Sequence, residues 1–317
     1  MDIVEYKNIQ NIIRSYIHST PILTSTIINE TYGSKLLFKC ENFQKAGSFK
    51  IRGAIYAANS RLSAGESDVL TGHSSGNFAQ ALAKAAGIYG KKAVLVMPKN
   101  APTTKVEAVR RYGGKIIFSG NSPSERETKM KEYLKKNSEA IFIHPSNDLD
   151  MILGNSSCAG EFLEAHPEIQ KLIVPVGGGG LLAGTALAGE LLSPDTMIYG
   201  AEPAGADDAR QSFQSQKIVP SKHPETIADG LRTQLGDVNF PIILRHVKDI
   251  LTVTDQEIIE AMKDIYRYLK IVIEPSSAVP LAVIRKYPEL FQSKINGIII
   301  SGGNIDLRTL GKIFSKN

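Results

Sequence analysis

One lysine in this chain sits where an amine could be made reactive. In Lys45-Ala46-Gly47-Ser48-Phe49-Lys50-Ile51-Arg52-Gly53-Ala54, Lys50 lies between an aromatic and a β-branched residue, with small residues on both sides. Desolvation in such company disfavours the ammonium and lowers its pKa. An amine needs this before it can attack a carbonyl and form a Schiff base. Taken alone, the stretch reads more readily as a surface lysine whose stem covers apolar neighbours. Three turns further along argue for chemistry.

Each turn follows a predicted strand, the place where open α/β sheets bind ligands. Gly177, Gly178, Gly179 and Gly180 follow Ile173–Val176 and precede an apolar helix. Backbone N–H groups free of side chains can close around a phosphate at a helix N-terminus. Ser74-Ser75-Gly76-Asn77 offers two hydroxyls and an amide at another helix start, a setting suited to a carboxylate. Ser301-Gly302-Gly303-Asn304 adds a neutral hydroxyl at a third strand end. Two further readings stay open. Gly178-x-Gly180-x-x-Ala183, with Glu202 about 20 residues on, fits a dinucleotide fingerprint and would suit an oxidoreductase. Glu202 and Asp208 could also give two carboxylates, with a loop carbonyl, to a hard divalent cation.

The elements that would position these groups alternate. Val4 to Ile17 has helical apolar spacing, Leu36 to Cys40 predicts a strand, and Ile51 to Leu62 predicts a helix that starts beside Lys50. A β-α-β-α-β-α-β run from about 69 to 143 predicts a parallel-sheet unit. Strands at Leu172–Val176, Met197–Ala201 and Ile298–Ile300 repeat the theme. Thr254 and Glu257 have capping-box spacing for a helix reaching about Tyr268. Ala204 to Phe240 lacks periodicity and predicts a long polar connection.

Composition narrows the class. The chain has 317 residues, 22% charged and 42% apolar, an ordinary globular profile long enough for two domains. Net charge is +5, but basic residues gather only in pairs such as Lys91-Lys92 and Arg110-Arg111, which argues against a nucleic-acid partner. Two distant cysteines, Cys40 and Cys158, form no disulfide framework. No stretch approaches the ~20 apolar residues of a membrane span. Met1 to Lys7 lacks a signal-peptide core. The expectation is a cytoplasmic protein with no membrane partner.

Ser48-Phe49-Lys50-Ile51-Arg52-Gly53-Ala54, Ser74-Ser75-Gly76-Asn77, the glycine tetrad, Glu225-Thr226-Ile227-Ala228-Asp229-Gly230-Leu231 and Ser301-Gly302-Gly303-Asn304 occur in that order. Together they resemble the fold-type II pyridoxal-phosphate (PLP) enzymes, in the group of serine racemases and serine/threonine dehydratases. The similarity covers nearly the whole chain, without the regulatory domain of long threonine dehydratases. It implies an α/β fold like that of tryptophan synthase β: two open, twisted, mostly parallel domains with the cofactor in the cleft between them. The large domain would be residues 1–61 and 148–317, and the small mobile one residues 62–147.

The resemblance also implies roles. Lys50 would hold PLP as a Schiff base and then act as the base at Cα. Phe49 would flank the ring, Asn77 would bond its hydroxyl, and Gly230 would pack close by. Gly177, Gly178, Gly179 and Gly180 would cradle the phosphate. Ser301 would face the pyridine nitrogen, making a weaker electron sink than an acidic partner would. Ser74, Ser75, Asn77, Arg126 and Thr233 fall on the substrate side. The implied reaction is β-elimination from L-serine and L-threonine to a 2-oxo acid and ammonia. The family alternatives are serine racemisation, with Ser75 as the base on the face opposite Lys50, and 3-hydroxyaspartate dehydration. Glu202, Ala206 through its carbonyl and Asp208 match a divalent-cation site for Mg, Ca or Mn. A homodimer is implied. Lys45, Tyr112, Lys270 and Asn304 match a nucleotide-effector site at the subunit interface, whereas Ala46 does not.

Some positions depart from the pattern. Phe78 replaces a usual histidine, Leu153-Gly154-Asn155-Ser156-Ser157 replaces an Ala-Gly-Gln-Gly-Thr run, and Arg232-Thr233-Gln234 replaces a serine-rich turn.

Overall fold

The computed structural model describes residues 1–63 and 67–315. In chain order the strands are β1 (Ile22–Leu23), β2 (Lys35–Cys40), β3 (Val69–His73), β4 (Lys92–Pro98), β5 (Lys115–Ser119), β6 (Ile141–Phe142), β7 (Lys171–Pro175), β8 (Met197–Pro203), β9 (Val247–Val253) and β10 (Ile295–Ile300). Among the described residues they form a six-stranded sheet, β1-β2-β10-β7-β8-β9, and a four-stranded sheet, β5-β4-β3-β6. Only β1 with β2 is antiparallel; every other pair runs parallel. Parallel strands covered on both faces need apolar residues throughout, and Ile298, Ile299 and Ile300 are all fully buried. Their side chains alternate between layers. Ile298 and Ile300 join Phe38 and Ile173 on one face, while Ile299 joins Leu37, Leu172 and Val174 on the other. A separate apolar cluster unites Leu82 and Leu95 of the four-stranded unit with Ile51 and Ile9.

The predicted alternation from 69 to 143 is the four-stranded sheet with its helices. The capping box is present at Thr254 and Glu257 and starts the helix Asp255–Asp264, which continues as a wider π turn over Ile265–Leu269. Three expectations need correction. The first helix spans Ile3–Ile13 and stops short of Ile17, because the chain turns at Tyr16, whose N–H donates to Ile13 O. Ile17 still reaches the cluster that holds Ile9 and Ile13. The helix Leu149–Ala165 went unpredicted because it is buried on nearly every side, including Asn155, Ser156 and Ser157, so no polar face marks its period. The 204–240 connection is not irregular throughout. It holds a helix, Asp208–Ser215, and is pinned where Glu225 N–H donates to Gly205 O.

Candidate active site

A cleft of about 390 Å³ opens where the two sheets face one another, and the three predicted turns all line it. Lys50 is the first residue of the helix Lys50–Ser63. Its Nζ donates to Pro145 O at 2.7 Å and lies 5.1 Å from the Phe49 ring centroid. Burial among these groups lowers its pKa to about 8. Two residues on, the fully buried Arg52 anchors the same helix. Its Nε donates to Glu41 at 2.8 Å and its Nη1 to Glu161 at 2.7 Å, and Lys39 reaches Glu161 at 2.9 Å. Phe49 N–H donates to Ser301 O at 3.0 Å, which joins the lysine stretch to the third turn.

The glycine tetrad is walled by neighbours that leave no room for side chains. A Cβ on Gly178 would stand 2.3 Å from Ser146 Oγ, and one on Gly177 would stand 2.8 Å from Leu231 Cα. Gly179 also needs a φ of +81°, open to glycine at no cost. Asn239 Nδ2 braces the turn by donating to Gly178 O and Ser146 O. The tetrad leads into the helix Gly180–Leu192, whose first N–H groups have no intrahelical partners. Open backbone and free N–H groups at a helix start are the chemistry that an anion such as a phosphate needs. Gly230 approaches the cleft so closely that a Cβ there would stand 2.9 Å from Ser276 Oγ. Ser276 Oγ is itself buried without a hydrogen-bond partner.

Ser75 is exposed beside the cleft, and Gly76 N–H donates to Ser74 Oγ at 3.0 Å. Asn77 Nδ2 donates to Glu274 Oε1 at 2.7 Å, and Asn304 Nδ2 donates to Asn77 Oδ1 at 3.0 Å. Ser301 Oγ and Ser277 Oγ are 3.1 Å apart. Phe78 is buried and packs against Gly72. Elsewhere in the cleft lie His73, His144, Arg126 and Thr233. Arg126 is 9% exposed, and its Nε has no hydrogen-bond partner. Burial, with the Arg126 charge nearby, lowers His73 to about 3; burial, with Lys50 and Arg126, lowers His144 to about 4. Burial keeps both imidazoles neutral; among the described residues no carboxylate hydrogen-bonds Arg126, and the neighbouring Glu127 is the negative charge that favours its guanidinium.

Glu202, Ala206 and Asp208 lie outside this cleft. Glu202 is 1% exposed, and its two oxygens accept from Ala209 N–H and Arg210 N–H, each at 2.8 Å. Buried outside the cleft that the glycine tetrad lines, it faces no ribose there, so the dinucleotide reading loses its acidic residue. Burial pushes the Glu202 pKa up to about 9, helped by the negative charge of Asp208. Both carboxylate oxygens of Asp208 are buried without a hydrogen-bond partner. Two close, buried carboxylates, one of them unpartnered, are a donor set that suits a hard cation. Among the described residues, no group of three or more His, Cys, Asp or Glu gathers. None of their helices is long and apolar enough to cross a membrane.

Pro145, Ser146, Asn239, Glu274 and Lys105 are parts of the site that sequence reasoning did not find. Glu274 opens the Pro275-Ser276-Ser277 helix start, and the other four belong to no glycine-rich or hydroxyl-rich turn. Their places are set by contacts between distant segments.

Residues 13–302 match the family model of the pyridoxal-phosphate dependent enzymes, and the chain belongs to that family. It is 44% identical to the β-hydroxyaspartate dehydratase of Paracoccus denitrificans over 94% of this chain and 94% of that protein. It is also 44% identical to the serine racemase of Arabidopsis thaliana over 100% of this chain and 97% of that protein. Among solved structures, maize serine racemase superposes with a TM-score of 0.93 at 43% identity, covering 99% of this chain and 97% of that one. The protein is therefore a PLP-dependent enzyme with mostly parallel sheets.

Proposed function

We propose that the chain removes water and then ammonia from 3-hydroxy amino acids, and that 3-hydroxyaspartate is its preferred substrate over serine and threonine. The observation that carries the preference is Arg126, a buried cation in the cleft whose Nε has no hydrogen-bond partner. A side-chain carboxylate on the substrate would give it one, through a charge-assisted pair. The relative from Paracoccus denitrificans is named for such a substrate.

The cofactor's residues would be Lys50, Phe49, Asn77, the tetrad Gly177 to Gly180, Gly230 and Ser301. Bound PLP supplies an electron sink for the charge left at the substrate's Cα. Lys50 Nζ, whose pKa burial lowers to about 8, takes the Cα proton in its neutral form. The Ser74–Asn77 turn and the N–H groups of its helix hold the α-carboxylate. Thr233 borders the substrate beside Gly178. Arg126→Leu should lower kcat/KM for 3-hydroxyaspartate on the order of 10²-fold while changing serine by only a few-fold. Equal losses on both substrates would overturn the preference. Borohydride should fix a yellow cofactor onto Lys50, and a colourless protein that binds NAD would overturn the whole reading.

Racemisation of serine is the second reading, supported by Ser75, which is exposed beside the cleft that holds Lys50. Two bases are needed, one to take the proton and one to return it. Ser75→Ala should abolish enantiomer exchange and spare elimination, read by assaying 2-oxo acid and enantiomer together.

The proposal extends to a large unit of residues 1–61 and 148–317 and a small one of 62–147, of which 64–66 and 316–317 lie outside the described residues. It includes a homodimer, and a Mg, Ca or Mn ion held by Glu202, Asp208 and the Ala206 carbonyl. A nucleotide at Lys45, Tyr112, Lys270 and Asn304 has weaker support, because the Asn304 amide already bonds Ala46 O and Asn77.

A further inference from the structure

The second and third turns meet through side-chain amides whose orientation is forced. Ala46 O is a backbone carbonyl and can only accept, so the Asn304 atom 2.8 Å from it is Nδ2. The other hydrogen of that nitrogen goes to Asn77, 3.0 Å away, whose facing atom must be Oδ1. Asn77 therefore turns Nδ2 to its other side, where Glu274 Oε1 accepts it at 2.7 Å. An amide nitrogen carries two hydrogens and the oxygen none. One hydrogen of Asn77 Nδ2 is spent on Glu274. The second is left for the cleft, which Asn77 and Glu274 both line.

Glu274 is 2% exposed. Its Oε2 has no hydrogen-bond partner and stands 4.0 Å from Lys105 Nζ. Burial pushes its pKa up to about 7, opposed chiefly by the Lys105 ammonium. An ionised carboxylate only accepts, whereas a glutamine in its place can present either a donor or an acceptor and leaves Asn304 alone to hold the Asn77 amide.

We propose that Glu274 is a positioning residue: by accepting from Asn77 Nδ2, it fixes the Asn77 amide with an N–H, and not its oxygen, facing the ring oxygen of bound PLP. The inference rests on the cofactor reading above. A donor at that oxygen favours its anionic form. The anionic oxygen in turn keeps a proton on the nitrogen that joins the cofactor to Lys50. That protonated, yellow form absorbs at longer wavelength than the form with its proton on the ring oxygen.

The test compares absorption spectra of PLP-loaded wild type, Glu274→Gln and Asn304→Ala at one pH, with thermal melting of each. Replacing a charged acceptor by an amide that holds Asn77 less firmly should lower the ratio of long- to short-wavelength forms about threefold or more in Glu274→Gln. Asn304→Ala removes the other lock at a half-buried position, so it carries the test if the first variant does not fold. It should shift the ratio the same way, by about threefold. A wild-type ratio in either folded variant overturns the proposal, and a lowered melting temperature with an unchanged spectrum would mark a purely structural role. Wild-type protein that gains no visible band from PLP overturns the cofactor reading, and this inference with it.

Discussion

Lys50 is made reactive by its surroundings. With a pKa of about 8, about a quarter of its amines are neutral at a pH of about 7.5, against about one in a thousand for an ordinary lysine. Only the neutral amine attacks a carbonyl, so the sign is definite: cofactor uptake should quicken as pH rises and level off above the pKa. Stopped-flow growth of the visible band in cofactor-free protein should therefore show a midpoint near pH 8, and a midpoint near the ordinary lysine value would mean that burial does not act on this group. Lys50→Ala should take up no colour and lose on the order of 10³-fold or more in 2-oxo acid production. At this scale much of the site was legible. Glycines, hydroxyls and an amide at strand ends are types with a direct physical reason to meet an anion. Glu274 was not legible: its meaning lies in its bond to Asn77, 197 positions away.

Elements with a polar face announce themselves, and elements buried all round do not. The alternation over the four-stranded unit was readable from its apolar runs and turns. The helix Leu149–Ala165 was hidden, because Asn155, Ser156 and Ser157 are buried where a periodic reading looks for solvent. The helix Asp208–Ser215 is too short to show a period, yet it places the carboxylates of the proposed cation site, since its first turn holds Asp208 and its N–H groups bond Glu202. A cation there would tie this helix to the end of β8. A ligand at about a hundred times its Kd adds about 2.7 kcal/mol of stability, so chelation should lower the melting temperature by about 5 °C or more. Asp208→Ala should erase that sensitivity. Without metal it should melt no lower than the parent, because it deletes an unpartnered buried carboxylate. A melting curve unmoved by chelator would count against the site.

Across the whole molecule, the two sheets are joined by charge as well as by chain. Lys105 belongs to the helix Thr103–Arg111, which follows β4 in the four-stranded unit, and the residue is 4% exposed. It crosses to Asp229 at 2.7 Å and approaches Glu274 at 4.0 Å, both in segments that pack on the six-stranded sheet. Burial alone would lower its pKa, but Asp229 and Glu274 outweigh that and hold the group charged. The bridge therefore closes one wall of the cleft, and its strength depends on both units being in place. Lys105→Met keeps the stem and removes the charge, leaving Glu274 buried with no cation near it. Breaking a buried pair typically costs about 3–5 kcal/mol, and solvent at the half-exposed Asp229 reduces that, so a loss of about 2 kcal/mol is expected. The loss should appear first as local opening. Hydrogen exchange should quicken in the helix Thr103–Arg111 and in β4 while β7 and β10 keep their protection, and KM should rise about tenfold as the cleft loses its closed wall. Uniform loss of protection across both sheets would mean that Lys105 supports the fold as a whole and does not hold one unit against the other.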